Sequence, residues 1–244
     1  MLLYTLIVFS AAVLGLSSAN KHTLSITSCK RDSDDYSACL KRAFQEAWPR
    51  FVTGIPEFDF PSLDPLYYKY GKAVYNSGLI HADVIVSNVT VSGLSKNHIF
   101  DIRTHFLNDT FSLEIDGAVP KMFLQGTVNI DGTLGDIFRV VGKGPFNLTI
   151  EDAKGTWELT GHVVNDTWIV EHFRTLPSVK KLQLYFDFFP NNKEFNDLIV
   201  TFANEYWPSL FRVMLPISSI VWDPWLTGIA NKLFSKVSFS EVFL

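Results

Sequence analysis

The side chains that could carry covalent or metal chemistry in this sequence are few and dispersed. The chain has two cysteines and six histidines, the latter at positions 22, 81, 98, 105, 162 and 172. These histidines do not fall at zinc-ligand spacings, and most alternate onto the polar side of predicted strands. The serine-hydrolase elbow, the zinc-protease helix motif and the glycine-rich phosphate loops are missing from the sequence. We therefore expect no metal and no cofactor, and only a dispersed Ser-His-Asp set, assembled by the fold, would make this protein an enzyme.

The two cysteines are interpreted together with the N-terminus of the chain. Residues 1–19 form an apolar run that ends in Ser17-Ser18-Ala19, and small residues there are typical of a signal-peptide cleavage site. An uncleaved anchor is the alternative. A secreted chain that begins at Asn20 would meet an oxidising environment, in which Cys29 and Cys39 should form a disulfide rather than remain as two buried thiols.

Four Asn-x-Thr sequons also favour a secreted glycoprotein in an extracellular fluid. Asn88 and Asn147 fall on the polar side of the strand pattern, whereas Asn108 and Asn165 fall in predicted turns. All four positions are therefore compatible with glycans on the outside of the molecule.

Composition places the mature chain among globular proteins with a large apolar interior. Of 244 residues, 47% are apolar and 14% aromatic, and the net charge is −4. Residues 20–244 can form one domain with a substantial core. No basic face is available to neutralise phosphates, so we do not expect nucleic-acid binding.

The segment Asn191–Val237 has apolar residues at steps of three or four, the spacing of one helix face. Asn191 is the predicted N-cap. Pro208, Pro216 and Pro224 predict a bent helix, or two or three collinear pieces. The middle is apolar on nearly every side, so protein or lipid must enclose it. Its prolines and Asp223 favour enclosure by protein over stable membrane insertion.

From about residue 79 to 189 the apolar period changes from 3.6 to 2. Phe111, Leu113 and Ile115, for example, alternate with Ser112 and Glu114. Turn signals at 131–132, 142–145 and 152–155, among others, predict about nine antiparallel strands with one dry face. A shorter helix should precede them and end near Pro49. The predicted fold class is α+β: a long C-terminal helix wrapped by a highly curved antiparallel sheet, with a short N-terminal helix.

Several motifs resemble the takeout / juvenile hormone-binding protein family of insects, over essentially the whole mature chain. They are Cys29-x9-Cys39, Gly54-Ile-Pro-Glu-Phe58, Pro61-Ser-Leu-Asp-Pro-Leu66, Val91-Ser-Gly-Leu94, Asn204-x-x-Trp207, Pro216, Asn231-Lys-Leu-Phe234 and Glu241-Val-Phe243. The resemblance implies an apolar tunnel beside the long helix, which holds a lipid-like ligand. The family pattern has one helix proline, matching Pro216, and its hormone carriers often have a second disulfide that this chain lacks. The chain is thus takeout-like rather than a strict hormone carrier.

Inward-facing side chains of the helices and strands should line this tunnel, and plain core packing is the alternative for each of them. Met214 is favoured because its flexible thioether adapts to different ligands. The proposed wall residues are Trp48, Phe51, Phe100, Ile102, Phe106, Leu113, Met122, Leu124, Val128, Phe138, Val140, Phe202, Tyr206, Leu210, Met214 and Ile217.

Three functions follow from this sequence. The first is a secreted, monomeric carrier of a fatty acid-, terpenoid- or juvenile hormone-like molecule, which docks on a receptor or membrane to release it. The second is a ligand-free interaction or signalling protein, such as a circadian or feeding-related takeout-type factor. The third is a secreted lipid hydrolase, which no sequence motif supports.

Overall fold

The computed structural model describes residues 27–78, 80–134, 138–189 and 191–243. The proposed signal peptide, residues 1–19, lies outside the described residues. Short 3-10 turns occur at Pro56–Phe58 and Leu94–Lys96. The main elements, in chain order, are α1 (Tyr36–Thr53), β1 (Leu66–Ser77), β2 (Ile80–Ser92), β3 (His98–Leu107), β4 (Thr110–Leu134), β5 (Phe138–Val164), β6 (Thr167–Phe186), α2 (Lys193–Glu205), α3 (Trp207–Phe234) and α4 (Phe239–Val242).

The strands form one antiparallel sheet in the order β1-β2-β4-β5-β6. Strand β4 is long enough to pair with β3 along its first half and with β2 along its second half. The sheet curves against the C-terminal helices, so the predicted fold class is confirmed.

The sheet has fewer and longer strands than predicted. Strands β4 and β5 contain 25 and 27 residues, and the predicted turns at 131–132, 142–145 and 152–155 lie inside them. Pairing continues through these positions, with Gly132 opposite Val140 and Gly155 opposite Gly117. Asp152 adopts a positive φ of 51° within β5. Glycine and aspartate therefore lie within long paired strands here rather than in turns, and the estimate of nine strands was wrong.

The C-terminal helix is divided and bent, as its prolines predicted. Helix α2 ends before Tyr206, and α3 begins with Trp207 and Pro208. A bend of 55° then separates Trp207–Pro216 from Ser218–Phe234, so the pieces are not collinear. Asn192, rather than Asn191, is the N-cap, and its side-chain oxygen accepts from the N–H of Phe195 at 3.1 Å.

Helix α1 extends beyond the point where proline was expected to end it. Pro49 lies inside the helix, which continues to Thr53. Trp48 and Phe51 are both buried, so packing on either side of the proline offsets its lost backbone hydrogen bond.

The predicted disulfide between Cys29 and Cys39 is present, and it ties the chain before α1 to the helix itself. Cys29 also forms a parallel backbone bridge with Phe243, so the two ends of the described chain meet beside α1.

Candidate ligand-binding site

An apolar cavity lies between helix α1, the concave face of the sheet and the part of α3 that follows its bend. Its volume is about 400 Å³. Pockets that bind drug-sized molecules typically have about 300–1,000 Å³. The cavity is therefore large enough for one small hydrophobic molecule.

Helix α1 supplies one wall because its apolar residues recur on a single face. Leu40, Ala43, Ala47 and Phe51 lie three or four positions apart, and all four border the cavity. The disulfide holds the beginning of this helix in place.

The sheet supplies the floor through alternate residues of β4 and β5. Leu113 lies opposite Leu159, and Ile115 lies opposite Trp157, so cross-strand pairs present their side chains to the same face. The Trp157 ring also contacts Trp48 of helix α1, with 5.9 Å between ring centroids.

Helix α3 closes the cavity with aromatic side chains located after the bend. Trp222 and Trp225 line the cavity, and both rings lie 4.8 Å from the ring of buried Tyr68 in β1. Burial raises the pKa of Tyr68, and neighbouring Tyr70 adds to the effect. Strand β1 therefore fixes the two tryptophans that form this wall.

Asp223 anchors the same part of α3 to strand β6. Its carboxylate accepts from the N–H of Phe173 at 2.7 Å and lies 3.1 Å from Nδ1 of His172. Burial opposes ionisation of Asp223, but hydrogen bonds from Phe173, His172 and Thr227 outweigh it and keep the pKa below its usual value. Because Phe173 and Trp222 both line the cavity, this contact positions two of its walls.

The lining is almost entirely apolar. Among the described residues that border the cavity, only Thr27 and Thr175 have polar side chains other than the indole N–H groups, and none is charged. The Thr27 hydroxyl already donates to Glu46 at 2.9 Å. An ionised ligand would therefore lose its hydration without gaining a charged partner, which is energetically costly.

The structure brings some of the proposed wall residues together around this cavity. These are Trp48, Phe51, Ile102, Leu113, Met122 and Leu124. They belong to α1, β3 and β4, where helical spacing or strand alternation predicted the inward face.

The remaining proposed wall residues lie elsewhere. A register shift between Ile99 and Asp101 leaves Phe100 exposed while Ile99 and Ile102 are buried. The helical residues of this group precede the bend in α3 and lie on an exposed face, whereas Phe211, also before the bend, borders the cavity. The side chains of Phe138 and Ile217 lie outside the described part. The proposed wall residues that are described but do not border the cavity are Phe100, Phe106, Val128, Val140, Phe202, Tyr206, Leu210 and Met214. All of them are exposed except Val128, which is buried in the sheet.

Several lining residues of the C-terminal helix were not among the proposed wall residues. Trp222, Leu226, Ile229 and Leu233 lie three or four residues apart, and all line the cavity. Trp222 lies five residues after Ile217, so this face does not continue the predicted one. Helical spacing applied separately to the residues after Pro216 indicates it, whereas the contribution of Phe173 from strand β6 depends on the fold.

The described residues contain no group of three or more His, Cys, Asp or Glu side chains arranged to hold a metal ion. In the same part of the chain, no single helix has both the length and the hydropathy of a membrane span. The two segments of α3 meet both criteria only when they are taken together as a bent pair.

Comparison with known proteins agrees with this architecture. The crystal structure of Takeout 1 from Epiphyas postvittana is similar, with a TM-score of 0.64 and 20% identity over 89% of this chain and 99% of that chain. At this identity the likeness shows the fold alone. A search of curated proteins gives no match. The family model described as haemolymph juvenile hormone binding protein matches residues 3–244. This chain therefore belongs to the haemolymph juvenile hormone binding protein family.

Proposed function

We propose that this protein is a secreted carrier that encloses one neutral hydrophobic molecule in the cavity between α1, the sheet and α3. The observation that carries the proposal is a cavity of about 400 Å³ whose described lining has no charged side chain. A terpenoid or a juvenile hormone-like ester fits such a lining better than an ionised fatty acid does, because a buried carboxylate would have no partner.

The expected affinity follows from the apolar surface that the ligand buries. Each buried methylene contributes about 0.8 kcal/mol, so about 12 methylenes give roughly 10 kcal/mol before costs. Association costs several kcal/mol of this. The remainder of about 6 kcal/mol corresponds to a Kd of roughly 10–100 μM.

Secretion is supported by the apolar N-terminal run, the Cys29–Cys39 disulfide and the exposure of the sequons. Asn88, Asn108 and Asn165 are exposed, and Asn147 is half-buried within β5. We expect a monomeric glycoprotein, with ligand released at a receptor or a membrane. The family is one of binding proteins, and we expect no enzymatic activity.

Native mass spectrometry of protein secreted from insect cells tests the carrier function directly. A co-purified neutral lipid in one-to-one ratio is the expected result. Displacement of N-phenyl-1-naphthylamine should then rank a long-chain methyl ester about tenfold or more above the free acid of the same chain at pH 7.4. Equal displacement by ester and acid would contradict the neutral-ligand proposal.

A ligand-free interaction protein is the second candidate, and exposed apolar side chains on both sides of the bend favour it. Leu198, Val213 and Ile220 are 65%, 55% and 62% exposed. Protein that is isolated empty, and takes up no terpenoid, ester or fatty acid, would support this alternative.

A further inference from the structure

A small recess opens beside the main cavity where β4, β5 and β6 meet. Its volume is about 80 Å³, and it shares Met122, Trp157 and Thr175 with the walls of the larger cavity. A ligand in the main cavity therefore lies next to the recess. The side chains that line the recess determine which chemical group of the ligand it can bind.

Two glycines on neighbouring strands border the recess. Gly117 of β4 lies opposite Gly155 of β5, which lies opposite Pro177 of β6. A Cβ on Gly117 would lie only 2.8 Å from Oδ1 of Asn97, and a Cβ on Gly155 would lie 2.6 Å from the carbonyl oxygen of Leu176. The two glycines leave room for the recess, and substitution at either would push on its walls.

Among the described residues, two uncharged polar side chains that border the recess have an unpaired donor, and one of them, Thr175, also borders the main cavity. Asn97 lines it, and the Nδ2 atom of this amide is buried without a hydrogen-bond acceptor among the described residues. Thr175 lines both spaces, and its hydroxyl has no hydrogen-bond partner among the described residues. By contrast, the Thr156 hydroxyl already donates to Asp116 at 2.5 Å.

The charged side chain that borders the recess lies on its outside. Lys154 also borders the recess, but its side chain is exposed, and neighbouring Ala153 is the residue that is buried. The groups available inside are therefore neutral donors, an amide and a hydroxyl. A buried donor without an acceptor is unfavourable, and an oxygen atom brought by a ligand would remove this cost.

We infer that the recess is a head-group subsite. It accepts one neutral, oxygen-bearing group of the ligand, such as an ester or a ketone, with Asn97 and Thr175 as hydrogen-bond donors. The apolar body of the ligand then lies in the main cavity. This inference rests on the carrier function proposed above, and it narrows the ligand to an amphiphile with one uncharged oxygen function at its end.

A pair of probes that differ in the head group tests the subsite. Methyl tetradecanoate and pentadecane displace N-phenyl-1-naphthylamine from the wild-type protein, and the ester should bind about tenfold more tightly. Thr175→Val and Asn97→Leu should each remove most of this ester preference, because each replaces a hydrogen-bond donor with an apolar side chain of similar size. Thr127→Val, elsewhere on β4 and away from both spaces, should retain the preference.

The outcomes separate the subsite from the carrier function. If the wild-type protein binds both probes equally, or if both variants keep the ester preference, the subsite is wrong while the carrier proposal stands. If neither probe displaces the dye from wild-type protein, the carrier proposal itself fails. Thr175→Val removes one hydroxyl at nearly constant shape, so it decides the question if Asn97→Leu does not fold.

Discussion

The side-chain amide of Asn204 in helix α2 forms two hydrogen bonds with a single residue of strand β6, Leu184. Its oxygen accepts from the N–H of Leu184 at 2.8 Å, and its Nδ2 donates to the carbonyl of Leu184 at 2.6 Å. Asn231 of α3 bonds to both backbone groups of Val170 in the same way. Strand β6 is the last strand of the sheet, so these amides satisfy backbone groups that an edge strand leaves unpaired.

Removing the Asn204 amide should destabilise the protein. Asn204→Ala leaves the backbone groups of Leu184 without these partners in a partly buried position, and we expect a loss of about 1–3 kcal/mol in the free energy of unfolding. Urea denaturation measures the loss. Asn191→Ala, at an exposed position, should change stability by less than about 0.5 kcal/mol. Equal stability of the two variants would contradict a structural role for the amide.

Filling the cavity from helix α1 should block ligand binding. Ala47 is buried and lines the cavity, so the ring introduced by Ala47→Phe would occupy space needed by several ligand carbons, each worth about 0.8 kcal/mol. We expect the affinity for N-phenyl-1-naphthylamine to fall at least about tenfold in a fluorescence titration.

Met214→Arg is the matched control for that substitution. Met214 is 48% exposed and lies outside the cavity wall, so an arginine there should leave dye affinity unchanged. Loss of binding in the Met214 variant, with retention in the Ala47 variant, would mean that the ligand lies along the exposed helix face instead.

Removing the disulfide should lower stability without abolishing the fold. Cys29 and Cys39 are ten residues apart, and in the chain-entropy model a loop of this size contributes roughly 2–3 kcal/mol. The double variant Cys29→Ser, Cys39→Ser should therefore unfold at a lower urea concentration. A thiol assay on native wild-type protein should find no reactive cysteine, and two reactive thiols would overturn the pairing.

Asp223 should make stability depend on pH below about 4. Its hydrogen bonds to Phe173, His172 and Thr227 outweigh burial and lower the pKa of the folded state, so the unfolded chain takes up the proton first as pH falls. The contribution is complete above the unfolded value of about 3.9 and is lost as pH falls through the folded pKa. In urea titrations from pH 7 to pH 2, Asp223→Asn should be less stable at pH 7 and should lose less on acidification. Asp32→Asn, on an exposed turn, should follow wild type; identical profiles for all three would exclude the role of Asp223.

Glycan occupancy can be tested at each sequon separately. Protein secreted from insect cells should lose mass on treatment with peptide N-glycosidase, and each of Asn88→Gln, Asn108→Gln and Asn165→Gln should remove one glycan. These three side chains are exposed. An unchanged mass after enzyme treatment would contradict glycosylation at all of them.

The sequence by itself determined the fold class, the family and the cysteine pair. Alternation with a period of 2 and helical spacing are local properties, and they identified the sheet and the C-terminal helices from neighbouring residues alone. Two cysteines allow one intramolecular disulfide, and the motifs around Gly54 and Pro61 belong to a recognisable pattern.

Only the tertiary structure decided which side chains face the cavity. The register shift near Phe100 turns that ring outward, and on α3 the cavity is lined by Phe211 and by Trp222 and the turns beyond it rather than by Met214. Both depend on contacts between distant segments, such as Asp223 with Phe173, which a local pattern does not contain. A one-residue change of strand register exchanges the two faces of a sheet, so lining residues follow from packing rather than from periodicity.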